Sequence, residues 1–137
     1  MILIILAVKC WILASVCNAV MDVLAFKYRK SIFSKLNPKF WNPNKSYKNK
    51  YKNNDEKNGP AFFGSTTFLV FTTDAWHLFQ FLSNSLIVLS IILVCNYFFN
   101  FSWWNNIIIF ICLKLLWGVF FDIFYEKLFR IKKSLII

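Results

Sequence analysis

Glycine, proline and histidine are scarce in this 137-residue chain, at three, three and one. Each shortage closes a class of chemistry. There is no glycine-rich loop to cradle a phosphate by its backbone, no nucleophile elbow and no H-E-x-x-H zinc motif. The four cysteines, Cys10, Cys17, Cys95 and Cys112, include no pair at the C-x-x-C spacing of a zinc or redox site. All four lie in apolar stretches, where cysteine behaves as a small hydrophobe, so free thiols and no resident metal or cofactor are expected. A net charge of +10 comes without any groove-reading motif, so nucleic acid is not an expected partner. Met1–Ala7 has no basic region of the kind that opens a secretory signal. Leu13–Cys17 resembles a lipoprotein box, but Val16 stands where a small residue precedes the cysteine. The segment therefore reads as an uncleaved first span.

What the chain has in excess is apolar surface. It is 58% hydrophobic and 20% aromatic, against about 45–50% apolar in soluble domains. The surplus is contiguous. Segments 1–26, 61–99 and 103–125 carry only two lysines between them, Lys9 and Lys114. Hydrocarbon cannot solvate a polar backbone, so runs of about 20 apolar residues read as membrane-crossing helices. The fold class expected is an all-α membrane protein in a single membrane domain. It has about three transmembrane helices, near 2–26, 80–99 and 103–125. Residues 61–99 are too many for one perpendicular crossing and are more polar in their first half. An interfacial or re-entrant segment over 65–79 is expected before the second span, with one long tilted helix as the alternative.

Charge sets the orientation. Residues 27–60 hold ten of the sixteen Lys and Arg, and Asp55 and Glu56 bring that loop to a net 10 − 2 = +8. Basic loops stay cytoplasmic, so the N-terminus is expected outside and the C-terminus inside. The second basic cluster, Lys127, Arg130, Lys132 and Lys133, then also falls inside, in an inner membrane. Lys27, Arg29, Lys30, Trp41, Lys132 and Lys133 are the residues expected to meet anionic lipid headgroups. Asn37-Pro38 and Asn42-Pro43 break the loop into turns. Asn53 to Pro60 has no apolar face and is expected to be the most mobile stretch.

This topology brings scattered polar groups to one level. Asp22, Asp74, His77, Asp122 and Glu126 all fall near the cytoplasmic ends of their spans. Carboxylates and an imidazole so placed form a candidate catalytic, proton-relay or metal site. The structural alternative pairs Asp22 with Lys27 or Arg29, and Glu126 with Arg130 at i+4. Ser15, Asn18 and Asp22 share one face of the first span. Thr73, His77, Gln80 and Asn84 form a stripe on the second, and Lys114, Gly118, Asp122, Glu126 and Arg130 one on the third.

Four blocks, Phe40-Trp-Asn-Pro43, Ser46-Tyr-Lys-Asn-Lys-Tyr51, Gly64-Ser-Thr-Thr67 and Thr73-Asp-Ala-Trp-His77, resemble a group of small uncharacterised bacterial integral membrane proteins. The likeness covers residues 18–80 or so. It implies that the loop and the start of the second span form one unit, and it transfers no residue role. Three-span lipid kinases of the diacylglycerol kinase type are similar in size and topology only, since their acidic helix motif is missing here. The function expected is an accessory or helix-packing subunit, as a homo- or hetero-oligomer. A membrane-embedded enzyme or ion site on the polar cluster is the alternative, and a pore or holin-like protein a second one.

Overall fold

A computed structural model describes residues 1–123; Glu126, Arg130, Lys132 and Lys133, and the side chain of Asp122, lie outside the described residues. The protein is an all-α membrane protein. Three helices are long and apolar enough to cross a bilayer: α1 (Ile2–Lys27), α4 (Ala75–Phe99) and α5 (Trp103–Asp122). Two one-turn helices, α2 (Pro38–Trp41) and α3 (Pro43–Ser46), lie in the basic loop. Each places Pro at its first position and an Asn before it. The Asn37 and Asn42 side chains accept from the backbone N–H two residues on, both at 3.0 Å. Proline has no N–H to lose there, and asparagine caps the groups that remain.

The chain divides into two compact units, 8–87 and 1–7 with the residues from Val88 onward. In the first, α1 meets α4 through small residues. Ala14 and Cys17 of α1 and Ser83 of α4 are buried. The Ser83 hydroxyl lies 3.2 Å from both the Ala14 carbonyl and Asn18 Oδ1, and its one proton is shared between them. Small side chains let two backbones approach closely, and interhelical hydrogen bonds of this kind contribute about 0.6–2 kcal/mol in a bilayer. In the second unit the same device recurs: the Ser90 hydroxyl donates to the Ala7 carbonyl at 3.0 Å, and Ala7, Val88 and Ile92 are buried around it. Large apolar side chains such as Trp11, Ile12, Leu13 and Val16 point outward. Water would penalise that surface; hydrocarbon does not.

The two units handle their remaining polar groups differently. In the unit holding α5, Ser102 caps the helix, its Oγ accepting from Asn105 N at 3.4 Å. Trp103 and Trp104 stack at 3.7 Å beside it. No residue in the apolar stretch Trp103–Phe120 is buried. A Cβ added at Gly118 would find nothing within 4 Å. The unit of residues 8–87 instead buries Ser46, Ser65, Thr73 and Asp74. All four cysteines are free thiols.

Candidate functional site

The 27–74 region is a folded cap built on single side-chain bonds. Its tip closes through a Tyr51–Pro60 bridge, with Lys52 N–H donating to the Gly59 carbonyl and Ala61 N–H to the Lys50 carbonyl, both at 2.9 Å. Gly59 takes φ +75° to make that return. Ser65, fully buried, donates its hydroxyl to the same Lys50 carbonyl at 2.8 Å. Gly64 turns the chain at φ +79°, and a Cβ there would lie 2.9 Å from the Phe68 ring. Only glycine meets both conditions without strain.

Asn49 fastens this cap to the start of α4. Its amide donates one N–H to the Lys39 carbonyl at 2.6 Å and the other to the Thr73 carbonyl at 2.8 Å. Both amide protons are then used. Trp41 adds an aromatic contact. It stacks on Phe33 at 5.1 Å and meets Phe79 of α4 at 6.0 Å. Its ring is half-buried against this chain. Lys27, Arg29 and Lys30 are exposed around a single 3-10 turn.

The helix α4 begins at Ala75 because Asp74 caps it. Asp74 Oδ1 accepts the His77 N–H at 2.9 Å, and its carbonyl accepts Leu78 N–H at 3.1 Å. That leaves Oδ2, which meets His77 Nδ1 at 2.6 Å and the Thr73 hydroxyl at 3.3 Å. The Asp74 side chain is 2% exposed and that of His77 22%. Burial alone would push the Asp74 carboxyl upward. Hydrogen bonds from the His77 ring and backbone, the charge of that ring and the Thr73 hydroxyl outweigh it and hold the carboxyl below its ordinary value. An ionised carboxylate only accepts, so Nδ1 carries a proton and donates it. Nε2 is then the nitrogen turned away from Asp74. It makes no hydrogen bond among the described residues. Trp76 packs edge-on against the imidazole at 5.2 Å.

Of the five residues expected at one level, the structure brings Asp74 and His77 together. Asp22 is exposed, and among the described residues no salt bridge joins it to Lys27 or Arg29. Asp122 ends α5 by its backbone, and Glu126 lies outside the described residues. Among the described residues no three His, Cys, Asp or Glu side chains are grouped to hold a metal ion. Along the expected stripe, Thr73 is buried and His77, Gln80 and Asn84 are half-buried. Sequence reasoning gave Asn49, Ser83 and Ser90 no role. Ser83 and Ser90 carried a signal: they are seven residues apart, as are Ala7 and Ala14 on α1. Asn49 carried none, being one of several asparagines in a polar loop.

No family model matches the chain, and neither the curated proteins nor the solved structures give a significant match.

Proposed function

We propose that this protein is a non-enzymatic accessory subunit of an inner-membrane assembly. In this reading the N-terminus lies outside, the C-terminus and the basic loop lie in the cytoplasm, and the loop is held to anionic lipid. The observation that carries the reading is α5. It is a 20-residue apolar helix in which no position of the membrane-crossing stretch is buried by the rest of the described chain. It nonetheless interrupts its apolar surface with Gly118, beside which there is open space. Elsewhere in this chain small residues sit where a second helix packs, as Ala7 and Ala14 do. A flat, open glycine in α5 fits the same use by a helix from another chain. The charge bias of loop 27–60 supports the orientation.

Photo-crosslinkers placed at Leu115 and Val119, both exposed on α5, test the role in native membranes. Protein adducts are expected, and two differently tagged copies distinguish a homo-oligomer from a foreign partner. Adducts to lipid alone would overturn the reading. Reporter fusions at Lys52 and Ile137 should both report cytoplasm, and a periplasmic signal from either would reverse the topology.

A further inference from the structure

The Asp74–His77 pair does more than end a helix. Capping α4 needs one carboxylate oxygen, and Oδ1 alone supplies it. Oδ2 is given to the imidazole at 2.6 Å, the shorter of the two contacts to His77. That bond fixes the ring's direction, with Nδ1–H turned to Asp74 and Nε2 left without a protein partner among the described residues. Trp76 braces the ring from one side. The position is the first turn of a membrane-crossing helix, the depth at which lipid headgroups begin.

The loop tied to the start of this helix is strongly basic. Loop 27–60 carries ten cations and two carboxylates. Asn49 ties it to the residue next to Asp74, with a single amide bridging the Lys39 and Thr73 carbonyls. Lys39 is exposed beside that bridge. We infer that His77, held by Asp74, is the hydrogen-bonding group of a phosphate site at the membrane surface, with the lipid headgroup as its occupant. With both ring nitrogens protonated, Nδ1–H stays on Asp74 and Nε2–H donates to a phosphate oxygen, and the basic loop supplies the attraction. Asp74 here is a positioning residue. The inference is independent of the role assigned to α5.

His77 is the chain's single histidine, so 15N-histidine labelling gives one imidazole and no assignment problem. The full chain is held in maltoside micelles, which contain no phosphate, and the Nε2 resonance is followed. Phosphatidic acid at a few mole per cent should shift it saturably. Inorganic phosphate in a parallel titration distinguishes the source: saturation only with the lipid places the phosphate in a headgroup, while an equal response to the free ion overturns the lipid assignment. Oleate is an anionic amphiphile without phosphate, and an equal shift with it would overturn the phosphate assignment. No shift in any titration would overturn the site. Asp74→Asn keeps a good helix cap but loses the acceptor-only charge, so half-saturation should rise about tenfold, the scale of one charge-assisted hydrogen bond. Unchanged affinity in that variant would reduce Asp74 to a cap and overturn its positioning role.

Discussion

Helices α4 and α5 are both apolar, and each is long enough to cross a bilayer. By length and composition they are the same object. Their surroundings differ. α4 buries Ala75, Ser83, Val88 and Ile92, and two of its serines bond to backbone carbonyls of α1. No residue in the crossing stretch of α5 is buried. The difference teaches that apolarity places a helix in a membrane without saying what it packs against. Small residues and single hydroxyls decide that second question, because lipid competes equally for every large apolar side chain.

Ala14→Leu puts three extra carbons into the closest approach of α1 and α4, at a residue 2% exposed, and displaces the Ser83 hydroxyl. A loss of about 3 kcal/mol is expected in reversible unfolding from mixed micelles. A neutral outcome would mean that the seam is not packed as described. Next comes the cap. Gly64→Ala forces a Cβ into a φ of +79° and against Phe68, and about 2 kcal/mol should be lost. Limited proteolysis of loop 27–60 should accelerate in that variant.

Asp74→Ala removes the cap of α4 and the partner of His77 at once, at a cost of about 1–2 kcal/mol. This contribution has a pH signature. The carboxyl of Asp74 sits lower in the folded protein than in an unfolded chain. Its stabilisation is therefore complete above the ordinary carboxylate range near pH ~4 and is lost as pH falls through the folded value. Denaturation profiles should show that acid limb in the wild type and a weakened one in Asp74→Asn. The smallest effect on the fold is expected on α5. Gly118→Leu has open space to fill and should change stability by less than about 0.5 kcal/mol. The same change should abolish crosslinks from Val119 if α5 packs on another chain, which sharpens the contrast between the two helices.

The three crossing helices were legible because hydrocarbon imposes a length and excludes charge, and both are visible in sequence. The pairing of Asp74 with His77 was legible too, since three residues separate them and one helical turn brings them together. Depth, however, is not azimuth. Asp22 lies two residues before buried Leu24, about 200° around the helix from it, and it faces outward. Its direction around the helix could not be read from its place along the span. The start of α4 at Ala75 rather than near 80 follows from a cap that hydropathy does not register. The folded cap over 27–74 was the least legible part. Asn49 and Ser65 hold it through bonds spanning 24 and 15 residues, and no periodicity announces such contacts.

The serine bonds to α1 also set a timetable for synthesis. Ser83 reaches an Ala14 carbonyl 69 residues earlier, and Ser90 reaches Ala7 across 83. At roughly 5–20 residues per second, the ribosome needs about 3–17 s to supply those partners. Throughout that interval Ala7, Ala14 and Asn18 have no α4 to meet. The first helix must therefore be able to live in the bilayer as a solitary anchor before it becomes half of a pair.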